Sequence, residues 1–114
     1  MSLIAVITTL PERQQAVDLS RHLVERRLVA CAQMEAIESL YLWEGQLQQD
    51  LEIRLTLKTE ERHFEAIQAA ILSLHPYAIP ALHAVRLDRV HGGFADWIRA
   101  TTSDSTPIRM PEAP

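Results

Sequence analysis

Five side chains in this sequence are of types that bind copper or zinc: Cys31, Met34, His75, His83 and His91. Thiolate, thioether and imidazole groups are the donors that suit these ions. Cys31 also fits a small buried apolar residue, and Met34 fits a core filler. His75 follows an amphipathic helical pattern, so its ring either faces a ligand or interacts as a cation with the last carbonyl groups of the helix. We do not expect His83 and His91 to bind one ion together, because His91 lies at a turn.

Aromatic residues cluster in two short segments that also contain glycine or proline. Tyr41 and Trp43 precede Gly45 between two strand-like patterns, and Tyr77 lies between two prolines. Aromatic rings of this kind stack on a ligand or pack against another layer or subunit. We therefore expect Tyr41, Trp43 and Tyr77 in a pocket or an interface, and the sequence leaves both alternatives open.

The sequence contains no recognisable catalytic motif. Glu52 and Lys58 lie on the polar side of a predicted strand with no nucleophile and base arranged around them, and a solvated strand face accounts for both. The three glycines, at positions 45, 92 and 93, do not form a phosphate-binding loop. We expect a protein without enzymatic activity.

Composition narrows the class of protein further. The chain has 114 residues, which is the size of one domain with a modest core. A net charge of -4 and a single lysine, Lys58, provide little to neutralise a phosphate backbone, so we expect no nucleic-acid partner. The single cysteine rules out an internal disulfide and favours a reducing compartment, the cytoplasm. We also expect no export signal and no membrane span.

The first half of the chain predicts a strand, a helix and a long hairpin. An aliphatic run at 3–7 predicts a strand, and Thr9 and Glu12 have the spacing of a capping box before a helix over 16–28. In 32–43 the apolar residues shift from even-numbered to odd-numbered positions, which predicts a bulge or bend near Ala36. After Gly45, alternation over 51–58 predicts the second strand of the hairpin.

The second half predicts a helix, a strand and a short last helix. Thr59 is the expected cap of a helix that ends before Pro76, and 81–88 forms the next strand. The order βαββαβ predicts an α+β ferredoxin-like sandwich with a short C-terminal helix, a single domain over 1–100, and a flexible tail over 101–114. Because the first strand is apolar on both faces, we expect a partner subunit to cover it.

Five short segments, in this order and at these separations, resemble the CutA family of divalent-cation tolerance proteins. They are LVAC at 28–31, YLWEG at 41–45, KT at 58–59, HPYxxP at 75–80, and Trp97. The resemblance covers about residues 3–100. It implies a compact, cytoplasmic homotrimer with a PII-like assembly, in which the long hairpins reach around the neighbouring subunits, and it implies a role in the response to divalent metal ions.

The resemblance also implies a set of site residues. Copper or a similar divalent ion is the expected ligand, with His75 and Cys31 as donors. The pocket or interface residues are Tyr41, Trp43, Tyr77, Lys58 and Trp97. Other donors found in some family members are absent at four positions, where this chain has Thr8, Leu74, Ala78 and Ala81. The alternative is a PII-like binding or signalling module for a small metabolite or protein partner, with no specific metal role.

Overall fold

One of the two inner strands of the sheet is also the most apolar strand of the protein. In the computed structural model, which describes residues 2–103, β1 spans Leu3–Leu10 and pairs with a strand on each side. The other elements are α1 (Arg13–Glu25), β2 (Cys31–Trp43), β3 (Gln46–Glu60), a 3₁₀ turn (Glu61–His63), α2 (Phe64–Leu74), β4 (Leu82–Arg86) and α3 (Gly92–Thr101). The predicted α+β class and element order are confirmed.

The four strands form one antiparallel sheet in the order β2-β3-β1-β4. One face of the sheet packs against α1 and α2 through a cluster of fully buried aliphatic side chains. This core includes Val6, Leu23, Leu55, Leu57, Ile67 and Ile71. Burial of each such side chain contributes about 1.5–3 kcal/mol to folding, so this layer provides most of the stability of the single chain.

A second, smaller cluster lies at one end of the opposite sheet face. There α3 packs Ala95 and Ile98 against Leu3 and Ala30. We expected a partner subunit to cover this face of β1, but at the Leu3 end the last helix of the same chain covers it. Farther along the strand, Ile7 and Thr9 are only half-buried.

Two predicted helix caps were wrong because the strands are longer than their aliphatic runs. Thr9 lies within β1, and α1 begins after Glu12, whose side chain forms no capping hydrogen bond. The helix ends at Glu25 rather than near residue 28, since Arg27 has a left-handed φ of 58°. Thr59 lies within β3, and its hydroxyl donates to the Leu28 carbonyl at 2.6 Å.

The predicted hairpin forms, but without the bend expected near Ala36. The pairing of β2 with β3 is continuous from Cys31–Lys58 to Trp43–Gln46. Glu44 (φ 51°) and Gly45 (φ 76°) form the two-residue turn, whose left-handed conformation matches the twist of the strands. The apolar residues appear at both parities because Tyr41 and Trp43 lie on one face of the outer part of the hairpin and Leu40 and Leu42 lie on the other.

That outer part extends beyond the body of the protein as a two-stranded ribbon, residues 37–43 of β2 and 46–52 of β3. β1 ends at Leu10, which pairs with Ile53, so within residues 2–103 the ribbon strands pair only with each other. The molecule is accordingly elongated, 48 × 27 × 26 Å. One side of the ribbon, the leucine face, exposes four large side chains: Leu40 (64%), Leu42 (72%), Leu47 (67%) and Leu51 (76%).

The C-terminal end of the described chain is held to the body. α3 continues through Thr101, and Thr102 is fully buried, with its carbonyl accepting hydrogen bonds from His63 at 3.0 Å and Arg62 at 3.2 Å. The rest of the segment expected to form a flexible tail, residues 104–114, lies outside the described residues. Within residues 2–103, no helix has both the length and the apolar character needed to cross a membrane.

Candidate functional site

A cavity of about 560 Å³ lies between one face of the ribbon and the loop that joins α2 to β4. It opens on the sheet face opposite α1 and α2. The strands contribute Thr9, Tyr41, Trp43, Gln48 and Glu52, and the loop contributes Pro76, Tyr77, Ala78, Ile79 and Ala81. The structure thus brings Tyr77 to the same cavity as Tyr41 and Trp43, from which it is far apart in sequence.

His75 fixes the start of this loop. Its Nε2 lies 2.6 Å from the Thr9 carbonyl oxygen, and its Nδ1 lies 3.1 Å from the backbone nitrogen of Tyr77. A carbonyl only accepts and an amide N–H only donates, so Nε2 carries the proton and Nδ1 the lone pair. Both ring nitrogens of this neutral imidazole are therefore occupied by hydrogen bonds. A metal ion could bind His75 only if one of these two hydrogen bonds broke.

The far end of the loop is tied to β1 as well. The Thr8 hydroxyl donates to the Ala81 carbonyl at 2.7 Å, just before β4 begins. Pro76 and Pro80 prevent the loop from continuing as a helix. Thr8 and His75 together hold the loop across the end of β1, which places Tyr77 over the sheet.

Glu52 lies at the floor of the cavity, and its position corrects a prediction. Alternation along β3 indicated a solvated strand face, yet Glu52 is only 7% exposed. The α2–β4 loop causes this burial, because it covers the strand face that alternation assigns to water. The Glu52 carboxylate accepts a hydrogen bond from the Tyr77 hydroxyl at 3.3 Å. None of the ion pairs within residues 2–103 includes Glu52.

Both tyrosines next to the cavity have a raised pKa, Tyr41 through Asp50 and Tyr77 through burial and Glu52. A 2.6 Å hydrogen bond from the Tyr41 hydroxyl to Asp50, together with the charge of Asp50, raises the pKa of Tyr41 to about 12. Burial, followed by the nearby charge of Glu52, raises the pKa of Tyr77. Both hydroxyls are therefore hydrogen-bond donors across the physiological range.

Cys31 and Lys58 lie elsewhere on the same sheet face. They are directly opposite each other on β2 and β3, and the Lys58 ammonium donates to Gln33 at 2.8 Å. Burial raises the pKa of the half-buried Cys31 thiol, and the nearby charge of Lys58 partly offsets this increase. The thiol is therefore mainly protonated at neutral pH, whereas the thiolate is the form that binds metals.

Cys31 and His75 do not converge within one chain. Lys58, the partner of Cys31, pairs with Ala5, whereas His75 contacts Thr9, four residues farther along β1. At strand spacing that is about 13 Å along the sheet, in addition to the separation between strands. Ligand bonds to a copper or zinc ion are only about 2.0–2.3 Å long. Within residues 2–103 no three His, Cys, Asp or Glu side chains are grouped so as to hold a metal ion.

The remaining candidates are dispersed. Trp97 stacks on Phe94 with ring centroids 6.0 Å apart and packs beside the α3 cluster, away from the cavity. Met34 is 39% exposed, so its interpretation as a core filler was wrong; it lies on an edge strand. His83 is exposed on β4, and His91 precedes α3.

The four positions that lack the expected donors have structural or lining roles. Ala78 and Ala81 line the cavity, Thr8 is buried and bonded to the loop, and Leu74 is 53% exposed at the end of α2. Sequence analysis missed the part that Glu52, Thr9 and Gln48 play in the cavity. No local signal identifies them, because the loop that covers them is about 25 residues or more away in the chain.

Comparisons with known proteins agree with one another. The sequence profile of the family described as "CutA1 divalent ion tolerance protein" matches residues 4–101. A divalent-cation tolerance protein CutA from Thermococcus kodakarensis is 33% identical over 98 residues, covering 86% of this chain and 94% of that protein. The CutA of Escherichia coli O139:H28 is 32% identical over 99 residues, covering 86% and 88%.

Solved structures give the same result. The CutA1 of Pyrococcus horikoshii superposes with a TM-score of 0.85 at 33% identity, covering 89% of this chain and 99% of that one. A protein from Archaeoglobus fulgidus described as a periplasmic divalent cation tolerance protein CutA gives a TM-score of 0.87 at 27% identity, covering 89% and 99%. By sequence and by structure over nearly all the residues described, the chain belongs to the CutA1 divalent ion tolerance family.

Proposed function

We propose that this protein acts in divalent-cation tolerance in the cytoplasm as a homotrimer, with ribbons that pack on neighbouring subunits. The observation that carries the proposal is the leucine face of the ribbon. A two-stranded ribbon is marginally stable by itself in water, and large exposed apolar patches usually mark interaction sites. The trimeric state follows from the family resemblance, and the leucine face supplies a surface for it.

The energetics of the leucine face suit subunit contact. Each of Leu40, Leu42, Leu47 and Leu51 is more than 60% exposed. Burial of one leucine side chain contributes about 1.5–3 kcal/mol. Four of them contribute about 6–12 kcal/mol for each copy, which is of the same order as the association cost of roughly 4–15 kcal/mol for each subunit that joins. A surface of this kind is more consistent with a permanent contact than with a transient one.

The proposed ion is copper or a similar divalent metal, with Cys31 and His75 as donors. Because these residues are separated within one chain, the proposal requires neighbouring subunits to supply further donors. It also requires His75 to release Thr9 or the Tyr77 amide, and Cys31 to lose its proton. Metal binding should therefore weaken as the pH falls, since both donors bind metals in their unprotonated forms.

Native mass spectrometry tests the assembly and the metal together. The metal-stripped protein should appear as a trimer and take up a fixed, saturable number of copper ions. Affinity should fall at least about tenfold in His75→Ala and in Cys31→Ser, and remain unchanged in the control His83→Ala, which removes an exposed imidazole. Unchanged copper affinity in His75→Ala would eliminate the role of His75, and a monomer would contradict the assembly.

A second candidate function is favoured by the cavity itself. Lined by Tyr41, Trp43 and Tyr77 and already formed in the single chain, it is of a size that accepts a small molecule. The protein would then be a PII-like binding module for a metabolite, and metal would be incidental. A metabolite that raises the melting temperature in metal-free buffer, through binding to the native state, supports this function.

A further inference from the structure

We propose that the cavity between the ribbon and the α2–β4 loop binds a small organic cation of the alkylammonium class. This inference rests on the second candidate function, a small-molecule site, and specifies the chemistry of its ligand. Among the described residues that line the cavity, Glu52 carries a negative charge, and none is a lysine or an arginine.

The buried carboxylate is the first argument. Glu52 is 7% exposed, accepts a long 3.3 Å hydrogen bond from a neutral hydroxyl, and belongs to none of the ion pairs within residues 2–103. A buried carboxylate is normally paired with a cation or with several strong donors. An ammonium group next to Glu52 would supply the missing charge.

The aromatic lining is the second argument. Tyr41, Trp43 and Tyr77 border the same cavity, and aromatic rings attract cations through the negative charge of their faces. Asp50, bonded to the Tyr41 hydroxyl at 2.6 Å, adds a further negative charge nearby. Tyr77 is the ring next to the carboxylate, because its hydroxyl bonds Glu52, whereas Tyr41 and Trp43 line the cavity farther along the ribbon. A carboxylate beside an aromatic ring is a combination that recognises alkylated ammonium ions.

The same lining disfavours the other ligand classes. An anion would meet the Glu52 carboxylate without a compensating lysine or arginine among the described lining residues. A transition metal ion requires several donors, and the described lining contains a single carboxylate and neither histidine nor cysteine. A neutral apolar molecule would leave the carboxylate unpaired.

A series of four-carbon probes tests the charge preference directly. The full-length protein, in metal-free buffer at pH 7.5, is titrated with n-butylammonium, n-butanol and butyrate. Binding is measured by the fluorescence of Trp43 in a Trp97→Phe background, where Trp43 is the only tryptophan, and by calorimetry. We expect n-butylammonium to bind about tenfold or more tightly than n-butanol, and butyrate not to bind.

Two variants locate the site. Glu52→Gln keeps the shape of the side chain and removes its charge, and it should lower n-butylammonium affinity about tenfold or more. Tyr77→Leu, read by calorimetry, should lower it several-fold by removing the aromatic ring next to Glu52. The control Glu25→Gln removes the same charge from an exposed position on α1 and should leave affinity unchanged. Melting temperature and subunit number of every variant confirm that folding is intact.

The outcomes separate this inference from the function on which it rests. Preference for n-butylammonium that is lost in Glu52→Gln and retained in Glu25→Gln supports the proposal. Binding of butyrate or n-butanol with equal or greater affinity would overturn the cation preference while leaving a small-molecule site in place. If no probe binds and a metabolite screen also leaves the melting temperature unchanged, both the inference and the second candidate function are wrong.

Discussion

The two halves of β3 have the same alternating pattern and opposite surroundings. In the inner half, Leu55 and Leu57 are completely buried against α1 and α2. In the outer half, Leu47 and Leu51 lie on the same side of the strand and are 67% and 76% exposed. The strand geometry is the same throughout, so the difference arises from the layer beneath it.

The comparison teaches that residues 2–103 contain more apolar surface than they cover among themselves. Burial of alternate residues requires a second layer, and the helices end before the ribbon begins. The outer leucines therefore follow the same alternation as the core residues but do not pack against a helix. In our account, neighbouring copies supply that layer, and the inner half folds within one chain.

The largest effect is expected from charges on the leucine face. Leu42 and Leu47 are paired across the ribbon, and the double variant Leu42→Lys/Leu47→Lys would bury two ammonium groups in the proposed interface. Burial of unpaired charge is prohibitive, so we expect loss of assembly, measured by sedimentation velocity. The control Leu72→Lys changes a leucine on α2 that is 56% exposed and should leave the trimer intact. Retention of the trimer by the double variant would eliminate the leucine face as an interface.

A pair of truncations in β3 compares the two halves directly. Leu55→Ala should lower the free energy of unfolding by about 2–5 kcal/mol at every protein concentration, because it leaves a cavity in the core. Leu51→Ala should have a smaller cost that is visible only at concentrations where subunits associate. Urea denaturation followed by circular dichroism at two protein concentrations measures both. A concentration-independent loss of similar size in Leu51→Ala would show that the outer half also stabilises the single chain.

Tyr41 lies on the side of the ribbon opposite the leucine face, and the pH at which it ionises tests its hydrogen bond to Asp50. The hydrogen bond to Asp50 raises its pKa to about 12 from the usual 10.0, so the protonated form is favoured in the folded state. The associated stability is fully present below pH 10 and is lost as the pH rises through about 12. Ultraviolet titration should show Tyr41 ionising near pH 12, and nearer to pH 10 in Asp50→Asn. Identical titration curves for the two proteins would show that the bond does not hold in solution.

At the inner end of β2, the smallest effect is expected at Cys31. Burial raises the pKa of its thiol, and Lys58 opposes that increase, so alkylation by iodoacetamide should be slow at pH 7.5 and accelerate as the pH rises. Lys58→Met should slow the reaction several-fold at a fixed pH. Faster alkylation in Lys58→Met, with unchanged circular dichroism, would contradict the assignment of Lys58 as the group that favours the thiolate.

Local periodicity predicted the elements, whereas their ends depended on distant contacts. The alternation in β3 and the helical pattern in α2 identified both elements correctly. The caps at Thr9 and Thr59 were wrong, because hydrogen bonds to other strands extend β1 and β3 through both residues. The bend near Ala36 was wrong because Tyr41 and Trp43 mark a second apolar face of the ribbon, opposite Leu40 and Leu42, rather than a break in pairing.

The candidate site was predictable in its aromatic residues and not in its carboxylate. Tyr41, Trp43 and Tyr77 stood out because aromatic residues are few and lie beside turn residues. Glu52 followed the polar phase of a regular strand, so nothing local distinguished it from a solvated side chain. Its burial depends on a loop fixed by His75 and Thr8, and a contact of that kind is determined by the tertiary structure.

Hydrogen exchange along β3, measured residue by residue at a protein concentration where the subunits associate, tests the central claim most directly. If another copy covers the leucine face, amides in 46–52 should be protected nearly as strongly as those in 53–60, and only the outer set should lose protection on dilution. If the ribbon is free, the outer amides should exchange orders of magnitude faster at every concentration, because a lone two-stranded ribbon opens readily. That second result would contradict the account.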